Sequence, residues 1–255
     1  MLKSDKKKYR CLPIKICSLN KCNYLNNIII PVHLPENVDL RFRMPPIVDQ
    51  GDLGSCTANA ICALVGYLEP GFIGSRLFLY YNERKIENDI HNDSGAYASD
   101  GINSLLTYGI CSEKDWPYDI TKFAIEPHMS CYKSALLHKA LQVKNIRNLL
   151  SMMKSTLYSN IPFVCGIAIY ESFESDAVTI TGIIPMPDPD EILLGYHEIC
   201  ICGYDDKKKI WIARNSWGVD WGDKGYFYLP YRYLLDSTLT YELWCIIKLQ
   251  KSTLH

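Results

Sequence analysis

The feature that most constrains this chain is a set of three reactive side chains placed far apart. Cys56 lies in Gln50-Gly51-Asp52-Leu53-Gly54-Ser55-Cys56-Thr57-Ala58-Asn59-Ala60, at the mouth of an apolar helical pattern. His197 ends Gly195-Tyr196-His197, and Asn215 opens Asn215-Ser216-Trp217-Gly218. A thiol, an imidazole and an amide in that order are the parts of a site in which sulfur attacks an acyl group. For them to meet, a helix start in the first half of the chain must be carried against strands in the second.

The thiolate is the nucleophile, and a free thiol with a pKa of about 8.5 is mostly protonated at neutral pH. Gly54-Ser55 reads as a turn that places Cys56 in the first helical turn, where unpaired N–H groups and the helix dipole favour an anion. An imidazolium partner would add a direct charge. Of six histidines, His197 is the best placed. It begins the alternating stretch Ile199-Cys200-Ile201-Cys202-Gly203-Tyr204, so a strand is expected to hold it at one end. His33 and His255 sit near chain ends, and His91, His128 and His138 lack a comparable frame. Asn215 follows the strand-like Trp211-Ile212-Ala213-Arg214, where its amide oxygen can accept the other ring N–H and fix the tautomer. Trp217 is expected to shield that bond. Gln50, six residues before the thiol, can donate with the Cys56 N–H to an oxyanion.

Around these residues the chain changes character. Ala60, Ile61, Ala63, Leu64 and Leu68 recur at helical spacing from Cys56, and Pro70-Gly71 stops the run. A second helix is expected from Leu77 and a third over 101–108. After a helix over 149–157, broken at Asn160-Ile161-Pro162, strands are expected at 163–169, 198–204, 209–214, 225–229 and 242–249. Residues 34–41 read as an extended lead-in. The pattern is α+β, a helical part followed by a β-rich part, with a cleft between them as the natural site.

Composition narrows the partners. The chain has 255 residues and a formal net charge of -1, with no basic stripe, so a nucleic-acid partner is not expected. The lysines near the start read as a solvated tail. That start is charged, with no apolar leader, and the longest apolar stretch, 161–170, is too short to span a bilayer. The expectation is a soluble monomer without a signal peptide or membrane span, in the cytoplasm or another reducing compartment. Eleven cysteines then read as free thiols, mostly buried. His197-x-x-Cys200-x-Cys202 is not expected to bind zinc, because alternation turns both cysteines away from the histidine. No metal or other cofactor is expected. Cys11, Cys17 and Cys22 read as thiols on an arm rather than as zinc ligands or an oxidised pair.

The set Gln50-Gly51, Gly54-Ser55-Cys56, His197 and Asn215-Ser216-Trp217-Gly218, followed by Trp221-Gly222 and Gly225-Tyr226, resembles the papain-like cysteine peptidases, the family of papain and the cathepsins. The resemblance covers about residues 34–250. It implies a two-lobed α+β fold, with a mainly helical lobe over about 36–148 and a β-barrel-like lobe over about 149–250. By this likeness Cys56 is the nucleophile, His197 the base and acid, Asn215 its orienter, Gln50 the oxyanion donor and Trp217 the shield. Gly95 is the candidate for the substrate-cradling loop, and Tyr97, Asp100 and Tyr196 are candidates for the specificity pockets. The implied activity is that of an endopeptidase acting on peptides or proteins through an acyl-enzyme. A catalytically silent peptide-binding module and an amine-accepting acyltransferase are the alternatives. Residues 1–35 would form a short pro-segment or lid, as in a zymogen. Four positions depart from the family pattern. Leu53 replaces a cysteine, Thr57 and Asn59 replace aromatic residues, and Glu198 follows His197 where a small residue is usual.

Overall fold

The computed structural model describes residues 33–250. The expected pro-segment or lid, with Cys11, Cys17 and Cys22, lies outside the described residues except for 33–35. The described chain opens with strand β1 (Asn37–Asp39), inside the segment read as an extended lead-in. Helix α1 (Cys56–Leu68) follows with the bounds expected from its apolar spacing. Helix α2 (Arg76–Glu87) is capped by Ser75, whose side chain accepts the Phe78 N–H. Helix α3 (Ala98–Thr107) begins three residues earlier than expected.

The expected glycine start of α3 is instead an internal position. A side chain at Gly101 would overlap the Glu83 carboxyl and the Ile61 side chain, so close helix packing demands a glycine there. Helix α4 (Met129–Ala135) and strand β2 (Ala140–Asn145) come next, and neither was expected. Strand β2 is an edge strand with exposed residues and two register shifts against its partner. Those shifts erase the alternation by which strands are recognised. Helix α5 (Leu150–Tyr158) leads into strand β3 (Phe163–Tyr170). Helix α6 (Asp176–Thr181) was also not expected, being only a turn and a half long.

Strand β4 (Leu193–Asp205) is longer than its sequence signal and corrects one expectation: His197 lies within the strand, not at its end. Strands β5 (Ile210–Arg214) and β6 (Tyr226–Pro230), helix α7 (Tyr231–Leu235) and strand β7 (Thr240–Leu249) complete the described chain. The sheet runs β2-β7-β3-β4-β5-β6, with β1 also paired to β4, and its pairings are antiparallel. This is an α+β architecture, as the sequence pattern leads one to expect.

Apolar packing explains how the halves are joined. One cluster fills the β-rich part, with Ile167, Ile199, Ile201, Trp211 and Phe227 at its centre. The other joins α1, α2 and α3 to the opposite sheet surface through Val164, Cys200 and Trp244. Strand β3 is therefore buried on both faces and reads as a continuous apolar run. Helix α1 is buried from Cys56 to Tyr67, as a helix apolar on all sides must be. Cys202 packs with Ile199 and Ile201, in the cluster opposite that of Cys200. A register shift between Ile201 and Gly203 accompanies this change, so simple alternation does not describe both cysteines.

Gly203 marks where β1 is pressed onto β4. A Cβ there would overlap the Val38 carbonyl and come within 3.3 Å of the Asp39 Cα. Gly203→Ala is expected to destabilise the fold by about 1–3 kcal/mol, as overpacking does. Thermal unfolding followed by circular dichroism should show a fall in Tm on the order of 2–10 °C.

Candidate active site

Cys56 is the first residue of α1, and Ser55 precedes it without a side-chain cap bond. The orphan N–H groups of this helix start are thus left to the local environment of the thiol. The Ser55 hydroxyl instead meets the Tyr118 hydroxyl at 2.5 Å, and Asn59 Nδ2 donates to the Ser55 carbonyl and hydroxyl at 2.8 and 3.0 Å. Tyr118 also donates to the Gln50 carbonyl at 2.9 Å. Burial pushes the Tyr118 hydroxyl up to about 12, so it stays a donor at neutral pH. Arg76 stacks over the Tyr118 ring at 3.8 Å and donates to the Asp49 carbonyl at 3.1 Å. The 49–55 turn is fixed by this set before any substrate arrives.

Helix α1 packs on β4, the strand that carries His197. Both Cys56 and His197 are buried, each about 1% exposed. The His197 Nε2 lies 2.8 Å from Asn215 Oδ1. An amide oxygen only accepts, so Nε2 carries the proton and Nδ1 is the nitrogen left to exchange a proton with a thiol. The Ser216 N–H donates to the same Asn215 oxygen at 2.8 Å. A flipped amide would set two donors against each other there, which fixes the Asn215 orientation. Asn215 stands one residue beyond β5, where its N–H pairs with the Gly225 carbonyl at 2.9 Å. Trp217 covers the histidine, with ring centroids 4.7 Å apart, and itself packs on Trp221 and Phe173.

Gln50 is buried and doubly held. Its Nε2 donates to the Leu53 carbonyl at 2.9 Å, and its Oε1 accepts from the Ser216 hydroxyl at 2.5 Å. An amide nitrogen carries two hydrogens, so one remains for an incoming oxyanion. The Gln50 N–H donates to the Ser216 carbonyl at 2.8 Å and the Gly218 N–H to the Val48 carbonyl at 3.1 Å. These bonds form a short antiparallel clasp between 48–50 and 216–218. Arg214 strengthens it by donating to the carbonyls of Pro45 and Pro46 at 2.7 and 2.5 Å.

Gly95 is buried with φ of +85°, and its N–H donates to the Tyr80 hydroxyl at 3.3 Å. Tyr80 donates to Asp93 at 2.6 Å, and the same carboxyl oxygen accepts the Gly54 N–H at 2.9 Å. Asp93 thereby ties the Gly95 loop to the turn before Cys56. Asp93, Arg76 and Tyr118 escaped the sequence reading because single polar residues beside helices carry no spacing signal. Glu198 alternates with His197 along β4 and so faces away from it. Leu53 is buried, and the eight cysteines among the described residues are buried and form no disulfide. Among the described residues there is no cluster of three or more His, Cys, Asp or Glu side chains that could hold a metal, and no helix is long and apolar enough to cross a membrane.

The chain is similar to several known proteins in sequence and fold. Xylellain, a cysteine protease from Xylella fastidiosa, superimposes with a TM-score of 0.86 at 35% identity, covering 94% of this chain and 96% of that one. A procathepsin B from Trypanosoma congolense shares the fold, with a TM-score of 0.69 at 18% identity over 86% of this chain and 80% of that one. An uncharacterized peptidase C1-like protein of Acanthamoeba polyphaga mimivirus is 40% identical over 78% of this chain and 68% of its own length. Cysteine proteinase 2 of Entamoeba histolytica is 28% identical over 80% of this chain and 64% of its own length. The chain thus spans about two thirds of these two relatives. The family described as "Papain family cysteine protease" matches residues 34–234, and the chain belongs to that family of cysteine peptidases.

Proposed function

We propose that the protein is an endopeptidase in which Cys56 attacks the peptide carbonyl, His197 moves the protons, Asn215 orients His197 and Gln50 binds the oxyanion. The observation that carries this reading is the 2.8 Å bond between His197 Nε2 and Asn215 Oδ1, on a strand packed against the helix that starts at Cys56. It assigns one ring nitrogen to the amide and leaves Nδ1 to serve the thiol.

The steps follow from these roles. The thiolate forms a bond to the carbonyl carbon, and the carbonyl electrons move to oxygen beside Gln50 and the Cys56 N–H. The carbon–nitrogen bond then breaks as the imidazolium gives its proton to the leaving amine. Water adds to the thioester, giving a proton to His197, and the carbon–sulfur bond breaks to regenerate the thiolate. Trp217 over the imidazole keeps bulk water from the His197–Asn215 bond, where a lower local dielectric strengthens it. The clasp between 48–50 and 216–218 sets oxyanion donor and imidazole in one frame, so little reorganisation is needed during attack.

Incubation with a peptidyl epoxide followed by mass spectrometry is expected to show one adduct on Cys56 and none on Cys56→Ala. Labelling distributed over other thiols would defeat the nucleophile assignment. Gln50→Ala is expected to lower kcat by roughly 10²–10³, the usual loss for one oxyanion donor. KM should change far less, and equal losses in substrate binding and turnover would argue for a structural role. Single-turnover assays with and without an added amine acceptor separate hydrolysis from acyl transfer, and hydrolysis is the expected product in both.

A further inference from the structure

Tyr118 lies between α3 and α4, outside helix and strand, yet its hydroxyl touches both segments that carry the proposed oxyanion donors. One donor is the Gln50 side chain and the other is the Cys56 N–H. The Tyr118 hydroxyl bonds to the Gln50 carbonyl at 2.9 Å. It also meets the hydroxyl of Ser55, the residue before Cys56, at 2.5 Å. Each bond has an assignable direction. Arg76 only donates, and its guanidinium lies 3.2 Å from Asn59 Oδ1. Asn59 Nδ2 therefore faces Ser55 and donates to its hydroxyl oxygen at 3.0 Å. A carbonyl only accepts, so the Tyr118 proton goes to Gln50 and the Ser55 proton goes to Tyr118. Donation runs one way, from Asn59 through Ser55 and Tyr118 to Gln50, and bonds in such a chain polarise one another.

The Gln50 carbonyl is where the turn needs holding. Gly51, next in the chain, has φ of +60°, so the backbone bends sharply just after Gln50. The Gln50 N–H and both ends of its amide are held by Ser216 and Leu53, and the hydroxyl of Tyr118 pins the remaining polar group. Tyr118 is itself fixed. Its N–H donates to Glu113 at 3.2 Å, and the same carboxyl oxygen accepts at 3.1 Å from Arg76, which stacks over the Tyr118 ring. Two residues earlier, the Trp116 carbonyl accepts at 2.6 Å from the hydroxyl of Ser75, the cap of α2. The phenol is a strut between α2 and the 49–55 turn.

We propose that Tyr118 is a positioning residue for the oxyanion site, its hydroxyl setting the separation between Gln50 and the start of α1 and so aligning the two donors. The proposal rests on the endopeptidase reading and adds to it a residue that touches neither the substrate nor the sulfur. Oxyanion donors act at about 2.7–3.1 Å from the developing charge, so a small slip in their spacing weakens both. Loss of the hydroxyl leaves each donor present but misaligned, which costs less than removing one of them.

The test compares two reactions of the same sulfur. Tyr118→Phe is expected to lower kcat for peptide cleavage by about 10–100-fold, less than the loss of a whole donor. KM should change by less than about threefold. Alkylation of Cys56 by iodoacetamide needs the thiolate but builds no oxyanion, so its rate should stay within about twofold of wild type. In a Gln50→Ala background, Tyr118→Phe should cost less than about threefold further, because a donor that it aligns is already gone. Ser55→Ala removes the other end of the bridge and should give the same split between cleavage and alkylation. It decides the matter if Tyr118→Phe does not fold. Equal falls in cleavage and alkylation would make the hydroxyl merely structural and overturn the proposal. An unchanged kcat, or a full further loss in the Gln50→Ala background, would do the same and leave the endopeptidase reading standing. Failure of the wild-type protein to cleave any peptide would remove both.

Discussion

The site depends on burying α1 on all sides. Its apolar surface is shared between the helical cluster and one face of the sheet, so its axis cannot shift without opening both. A fully buried side chain of ordinary size contributes about 1.5–3 kcal/mol, and α1 carries several. That packing fixes where the first helical turn stands relative to β4. Placement of Cys56 is in this sense a by-product of core formation, since the same contacts that fold the chain set the start of α1 against the sheet.

A second constraint comes from hydrogen bonds that cross between distant segments. Asn215 Oδ1 accepts from both His197 and Ser216, while Ser216 also holds both ends of Gln50 through its hydroxyl and carbonyl. One turn after β5 therefore positions the imidazole, the orienting amide and the oxyanion donor proposed for the mechanism. Arg76, Tyr118 and Asn59 brace the other side of that turn's partner, around 49–55. The candidate site is a single rigid network, not four independently placed side chains.

Much of this was legible in the chain itself. Helix α1 carries a run of small and apolar residues at helical spacing, bounded by Gly54-Ser55 and Pro70-Gly71, and it forms with the expected bounds. Strands β3 and β5 are short, apolar and framed by turn residues, so their bounds also emerged closely. Strand β2 did not, because an exposed edge with register shifts has no two-residue rhythm. The early start of α3 was hidden because Gly101 looks like a boundary until the Glu83 carboxyl is seen to occupy the space beside it.

The clasp between 48–50 and 216–218 has a mechanical consequence. Because it is built from backbone and amide bonds shared by both lobes, a small sliding of one lobe over the other would misalign the carbonyl cradle and the proton carrier together. In the proposed mechanism the oxyanion donor and the imidazole would then be lost together, not one at a time. Interlobe rigidity would then act as a proofreading device, coupling chemical competence to closure of the whole molecule.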